Sequence, residues 1–456
     1  MMSAVTRVFA GVTNTLRLAL PKIGAGWMFA ILTSHFNRVS IVELGVVAVV
    51  ITMMIGMHHF LSPFQVVFGR MADRYPIFGY RRTPYFIIGS LIASMTFVFL
   101  PDVAAAMGQG QTWAFVAGFG LLFLFGIGIA ATGDSHHALI AEVTDEKTRG
   151  IVVAVVWTFT IISAIAAAIF IKVSVSEQFV FAEMQSLYRM TPVVVMCAML
   201  PILGIEKRRT KADLHALAAT SATARVSPLQ ALSVAYTLIR TNTQVRAFFG
   251  FVFFSIVGIF LQDAILEVFG AEVFGMTIKQ TSMFSSTWGG GVLGGMLLMG
   301  ILSSVTSIPK KLIGLIGGFG TAFGLGLLTM TALTGMQSLL MPALIIMGVF
   351  TGFYNVGALS MMMDMTVEGS TGLYMGIWGM AQAFGMGVSS FASGTLKTLL
   401  IESGVLSPAI GYTAIFGLEV VLMVVGVAVL RSVDIQQFRS LSRADLTRAM
   451  EQGAGA

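Results

Sequence analysis

Twelve apolar stretches, each of roughly the 17 to 25 residues that a helix needs to cross about 30 Å of hydrocarbon, limit what this chain can fold into. They run over residues 22–43, 46–69, 84–101, 112–134, 150–172, 190–205, 247–269, 281–303, 312–334, 338–362, 372–396 and 409–430. Lipid offers the backbone no hydrogen-bond partner, so such a segment satisfies its own N–H and C=O groups as a helix. Only 11% of the 456 residues are charged and 56% are hydrophobic, too few charges to clothe a soluble domain. The expected fold class is an all-α membrane protein with twelve transmembrane helices.

The polar segments between these stretches divide the chain. Residues 1–21 form an N-terminal segment in which Val5, Val8, Phe9, Val12 and Leu16 recur at helical spacing while Arg7, Asn14 and Arg17 fall elsewhere on the wheel. That is the pattern of an interfacial helix. No short apolar run ends there in a small-residue cleavage site, so no removable signal peptide is expected. Residues 22–205 make a first six-helix half, 206–246 a linker, 247–430 a second six-helix half and 431–456 a tail. The linker carries Lys207, Arg208, Arg209, Lys211 and Arg225, and its later part, Pro228 to Ile239, has the spacing of a helix lying along the membrane surface. Of the 27 Lys and Arg residues, all but Arg38, Lys172, Arg189, Lys279 and Lys397 fall on the same side as the N-terminus. The positive-inside rule then places both termini in the cytoplasm of a multi-pass protein of the bacterial inner membrane. The net charge of +6 is accounted for by anionic lipid headgroups of the bilayer, and no nucleic-acid partner is expected.

The halves echo each other. Glu142, Thr144, Glu146 and Gly150 are matched at a constant offset by Asp364, Thr366, Glu368 and Gly372, and Ile41-Val42-Glu43 by Ile265-Leu266-Glu267. Two echoes in register with a six-plus-six division indicate two pseudo-repeats, the plan on which many transporters are built. After the second span, Gly69-Arg-Met-Ala-Asp73-Arg74 and then Gly79-Tyr-Arg81-Arg82 resemble the signature loop of the major facilitator superfamily, with Tyr75 to Phe78 making four residues where the usual loop has one. Glu142 to Gly150, with Arg149, resembles that superfamily's turn between spans four and five. Asp73 at a helix end can meet a neighbouring helix N-terminus, and Arg74, Arg81 and Arg82 can pair with acids such as Glu142. The second-half turn, Gly300 to Lys311, keeps only Lys310 and Lys311. These charges are read as a gate network holding the cytoplasmic face together, not as a substrate site.

Three longer stretches carry a closer resemblance: Phe36-Asn37-Arg38-Val-Ser-Ile-Val-Glu43-Leu-Gly45; Asp263-Ala-Ile-Leu-Glu267 running on to Glu272-Val-Phe-Gly-Met276; and Met363-Asp364-Met-Thr366 followed by Gly372-Leu-Tyr-Met-Gly-Ile-Trp-Gly-Met-Ala-Gln382. From about residue 20 to residue 430 the chain resembles the PucC and LhaA family, the bacteriochlorophyll-delivery branch of the major facilitator superfamily. The resemblance implies the fold of that superfamily and a part in photosynthesis: binding bacteriochlorophyll and delivering it to antenna or reaction-centre polypeptides during light-harvesting complex assembly in the intracytoplasmic membrane. One branch has been labelled a subunit of bacteriochlorophyll synthase, which makes that enzyme a further partner to consider.

If bacteriochlorophyll is the cargo, its magnesium accepts one axial donor, and a neutral imidazole is suited to that in a membrane interior. His58 and His59, in the lower half of span two, are the first candidates and His35 in span one the next. The plainer reading of each is a hydrogen bond to a neighbouring helix, and water or a backbone carbonyl could serve the magnesium equally well. His136 and His137 are expected in a solvated turn, and His215 in the linker. Cys197, the single cysteine, is expected to be a buried thiol. Gly290 and Gly294, Gly291 and Gly295, Gly314 and Gly318, Gly320 and Gly324, and Gly348 and Gly352 are small-xxx-small pairs that permit close helix approach. Many Met and Phe residues would face lipid. No phosphate-cradling loop, His-Glu-x-x-His, paired cysteine or nucleophile elbow is present, so no enzymatic activity is expected. Glu43, Asp134, Asp263, Glu267 and Asp364 all fall near span ends, and no acid is expected at the middle of a span. That weighs against the alternative of an ion-coupled secondary transporter for a small amphipathic solute.

Overall fold

Every apolar stretch forms helix, and the interruptions come where the sequence supplies polar or helix-breaking residues. The computed structural model describes residues 4–62, 64–144, 146–210, 228–366 and 371–438. Among these all regular elements are helical, apart from an isolated bridge between Ile77 and Tyr80. α1 (Ala4–Ala19) precedes α2, which starts at Lys22 and continues from Ile31 to Glu43 largely in wider π-turns. There follow α3 (Ala48–Phe60), α4 (Phe64–Arg74), α5 (Thr83–Gly108), α6 (Thr112–Val143), α7 (Glu146–Ser174) and α8 (Phe181–Met199). α9 (Pro228–Thr241) lies in the expected linker; α10 (Thr243–Phe260) and α11 (Leu266–Phe274) share the seventh span. α12 (Met283–Val305), α13 (Lys310–Thr334), α14 (Leu340–Asp364), α15 (Thr371–Lys397) and α16 (Pro408–Arg431) complete the series.

Nine helical segments among the described residues are long and apolar enough to cross a bilayer. The other three expected spans are also helical, and each falls short for a visible reason. The second divides into α3 and α4, α8 carries Glu183, Gln185 and Arg189 in its first half, and α15 is diluted by glycine, serine and Gln382. The sixth span lies earlier in the chain than 190–205. Its polar first turns escape a hydropathy reading, and Pro201 followed by Gly204 at φ 79° ends it.

The chain packs as two compact units: Met1–Val46 with Phe60–Ser221 and Met276–Ser286, and Val47–His59 with Ala222–Gly275 and Thr287–Ala456. In the first unit, α5 and α6 meet at glycines: a Cβ on Gly89 would stand 2.7 Å from Gly128 O, and one on Gly128 2.6 Å from Gly89 O. α1 leaves Val12 and Leu16 exposed, as an interfacial helix does, but its end is docked, with Arg17 donating to Pro201 O at 2.9 Å and Leu203 O at 2.7 Å. The same docking corrects the expectation for His136. It lies inside α6, is 1% exposed, and bonds Leu18 O at 2.8 Å while its ring packs on Phe86. Cys197 also departs from expectation: it sits on the exposed face of α8.

In the second unit, close packing falls on one phase of the glycine pairs. A Cβ on Gly295 would lie 2.1 Å from Val349 O and one on Gly352 2.4 Å from Val292 O, whereas Gly290 and Gly294 have nothing within 4 Å. The pair Gly291 and Gly295 therefore forms the α12 surface against α14, and Gly290 and Gly294 look away. Gly295→Ala is expected to cost about 2 kcal/mol, because a backbone carbonyl cannot yield as a side-chain tip does. Gly294→Ala should be neutral or mildly stabilising through helix propensity. Thermal unfolding of both variants in one detergent checks this, and equal midpoints would contradict the assignment of the packed face.

Candidate functional site

Besides a histidine pair at the end of α3, the polar residues that a membrane interior tolerates only with a reason gather in three places. The first is the π-turn segment of α2. Widened turns of this type admit an extra residue and often mark functional sites. Here they bring Ser34, His35, Asn37, Arg38 and Ser40 under cover, each at most 3% exposed. Arg38 donates through Nη1 to Glu43 Oε1 at 2.7 Å and through Nη2 to Met276 O at 3.1 Å. Two of the three long motif stretches therefore meet at this guanidinium. His35 Nδ1 bonds the Tyr188 hydroxyl at 3.2 Å, and the imidazole is 2% exposed.

At the end of α3 stand His58 and His59, their ring centroids 3.8 Å apart. His58 is 7% exposed and its Nδ1 bonds Ile55 O at 2.5 Å. Donation from Nδ1 to a carbonyl selects the tautomer whose basic lone pair is on Nε2. His59 is half-buried. Among the described residues no three His, Cys, Asp or Glu side chains come together to enclose a metal ion.

The second place is the turn joining α4 to α5. The four residues from Tyr75 to Phe78 lead into a tight turn in which Ile77 and Tyr80 exchange backbone hydrogen bonds of 2.9 and 3.0 Å, with Phe78 at φ 52° and Gly79 at φ 84°. These two positive φ values fit the primed turns that join paired strands. Beyond it, Glu142 at the end of α6 receives Arg82 Nε at 2.9 Å, Arg81 Nη1 at 3.7 Å and Arg209 Nη2 at 3.5 Å. Arg82 also reaches Gly69 O at 3.4 Å. Asp364, the repeat counterpart of Glu142, receives Lys310 Nζ at 2.7 Å. Each half thus pairs the acid ending its fourth span with a base opening its third. The side chains of Asp73, Arg74 and Arg149 lie outside the described residues.

Glu206 belongs to this cluster and was hidden from the sequence reading, which made it the first linker residue. It is 6% exposed and accepts from the backbone N–H groups of Arg81 at 2.6 Å, Arg82 at 3.0 Å and Thr83 at 2.7 Å. An anion there satisfies the open first turn of α5 and meets the positive end of its dipole.

The third place is the far end of the second unit. Lys397, 1% exposed, reaches Glu272 Oε1 at 3.0 Å and Glu402 Oε1 at 2.8 Å. Tyr412 donates to Glu272 Oε2 at 2.7 Å, and Glu402 accepts from Ala48 N at 3.2 Å, capping α3. Asp263 lies in the turn Leu261–Ile265 between α10 and α11, half-buried, and Glu267 is buried in the first turn of α11, where the helix dipole favours a carboxylate. The expectation of no acid at the middle of a span is overturned by Glu419, the twelfth of 24 residues of α16 and 0% exposed.

Comparison with known proteins gives a consistent setting. The family profile described as PUCC protein matches residues 35–438. A Rhodobacter capsulatus protein named "Bacteriochlorophyll synthase 44.5 kDa chain" is 28% identical over 442 residues, covering 92% of this chain and 96% of that protein. From the same species, an "Uncharacterized protein in puhA-bchM intergenic region" is 26% identical over 439 residues, covering 91% and 88%. "Protein PucC" of Cereibacter sphaeroides is 26% identical over 417 residues, covering 89% and 88%. Among solved structures, the nucleoside transporter NupG superposes with a TM-score of 0.67 at 15% identity, covering 91% of this chain and 98% of that one. A bacterial homolog of the human lysosomal transporter Spinster gives 0.68 at 13%, covering 96% and 98%. At these identities the structural likeness is one of fold: the chain has the all-helical fold of these transporters.

Proposed function

Because the chain belongs to the PUCC protein family, we propose that it works in the photosynthetic membrane of a bacterium, binding bacteriochlorophyll and presenting it to antenna or reaction-centre polypeptides as they assemble. In this reading the protein is not an enzyme. It is a multi-pass protein of the intracytoplasmic membrane with both termini in the cytoplasm, and bacteriochlorophyll synthase is a further partner. Relatives whose printed names include a bacteriochlorophyll synthase chain and PucC support the setting.

The observation that carries the cargo assignment is the imidazole pair at the end of α3. His58 is buried with Nδ1 engaged, which fixes the tautomer whose basic nitrogen is Nε2, and His59 beside it is half-buried and within reach of a ligand. His35 fits less well, since the Tyr188 hydroxyl holds it in a closed core. His58 and His59 would hold and orient the pigment, which would supply a Lewis-acidic magnesium to them. His59→Ala or His58→Ala is expected to lower pigment retention about tenfold, the scale of losing about 1.4 kcal/mol of binding. The check is an absorption spectrum of protein purified in mild detergent from a phototrophic host, with copurifying polypeptides identified. Colourless wild-type protein, free of antenna and synthase chains and able to move a solute down an ion gradient in liposomes, would sink the reading. The second reading, a secondary transporter of a small amphipathic solute, is favoured by the depth of Glu419 in α16.

A further inference from the structure

We propose that Glu419 is a proton-binding site inside the second unit, electrostatically coupled to Asp263 at the break in the seventh span. This inference stands apart from the pigment reading and needs neither His58 nor His59.

Glu419 is 0% exposed and both of its carboxylate oxygens lack a hydrogen-bond partner. It stands about 17 Å along α16 from Pro408, with no accessible surface of its own. α10 closes over it. A Cβ on Gly258 would lie 2.9 Å from Met423 N and 3.2 Å from Glu419 O, so the two helices touch backbone to backbone.

Among the described residues no cation on the neighbouring elements is available to neutralise it. On α10, Arg246 is exposed in the first turn and bonds Arg240 O. On α13, Lys310 is committed to Asp364, and Lys311 to the carbonyls of Arg431 and Val433. On α15, Lys397 is held between Glu272 and Glu402. α11 contributes two further acids, Glu267 and Glu272, and Tyr412 of α16 itself donates to Glu272. Among the described residues the charged group close enough to act on Glu419 is another carboxylate, Asp263.

An unpaired carboxylate at membrane depth, facing a second carboxylate, is a costly arrangement that one proton removes. The equilibrium is the simple one, carboxylate plus proton giving the carboxylic acid, with no other reactant. The protonated acid gains an O–H donor. Losing the proton would leave two negative groups where the Gly258 contact admits neither water nor a counter-ion. Deprotonation therefore loosens α10 from α16, and the helix break at Leu261–Ile265 is where that movement is absorbed.

The test is infrared difference spectroscopy of the full chain in lipid nanodiscs, between mildly acidic and alkaline pH, with and without carbon-13 glutamate. The expected result is a pH-sensitive carboxylic C=O band that shifts with the label, is lost in Glu419→Gln and is altered in Asp263→Asn. Alongside it, the wild-type Tm should fall by a few degrees as pH rises, because unfolding releases the proton, and Glu419→Gln should flatten that slope. A labelled band that survives in Glu419→Gln, or no labelled band in the wild type, would overturn the proposal. So would a Glu419-dependent Tm that follows sodium concentration instead of pH, which would make the site a cation site. If Glu419→Gln does not fold, the labelled wild type and Asp263→Asn decide between the same outcomes.

Discussion

Replacing Lys397 with methionine is expected to destabilise the protein by about 3 kcal/mol, the scale of breaking a buried ion pair by removing one partner. The ammonium is 1% exposed and sits between two carboxylates, Glu272 and Glu402, which are each a quarter exposed. Without it these acids face each other with one cation fewer, and Tyr412 and the capped N-terminus of α3 lose the geometry that Glu272 and Glu402 hold for them. Because the penalty arises from uncompensated acids, the triple variant Lys397→Met, Glu272→Gln, Glu402→Gln should recover a measurable part of it. The contrast is Lys279, whose 3.9 Å pair with Glu177 is exposed; Lys279→Met should change stability by less than about 0.5 kcal/mol. Thermal unfolding of the four proteins in one detergent measures all of this. A Lys397→Met midpoint equal to that of Lys279→Met would show that the triad contributes nothing to stability.

Glu206→Ala is expected to have an effect of similar size, about 3 kcal/mol, through another mechanism. Its carboxylate accepts from three consecutive backbone N–H groups, at Arg81, Arg82 and Thr83, at the start of α5. A charged acceptor on an N–H contributes about 1.5 kcal/mol or more, and buried donors left without one cost the desolvation of each. Glu206→Gln keeps an oxygen but not the charge and should lie between wild type and alanine. The neighbouring pairs of Glu142 with Arg81 and Arg82 would loosen with the turn, so hydrogen exchange at the start of α5 should rise more than elsewhere in the first unit. Unchanged exchange there in Glu206→Ala would remove the capping role.

Several features of the fold and of the sites were legible along the chain. Pro228–Thr241 forms a helix, as its apolar spacing predicts. The echo of Glu142 in Asp364 has a physical meaning, since each acid meets a base at the mouth of the preceding odd-numbered span. The motif stretches marked residues that fold onto one another: Arg38 on Met276 O, and Trp378 on Met365 O at 3.2 Å.

What escaped was burial at single positions. α16 is the most apolar of the nine long spans even with Glu419 in it, since one carboxylate hardly moves an average over eighteen residues. Glu206 opens the linker and Lys397 stands just past the end of a span, so each lies next to a polar stretch. Their partners are set by contacts 123 and 125 residues away. His136 and Cys197 were assigned the wrong environments for a related reason. A soluble helix declares its buried face through an amphipathic stripe, but a membrane helix is apolar all round and carries no such phase. The sequence by itself determined the number, order and rough limits of the spans, the two-fold repeat and the family, because all of these depend on composition along the chain. Which face of each helix meets a neighbour, and so which charges are paired and which carboxylate is left alone at depth, was decided only when the helices packed.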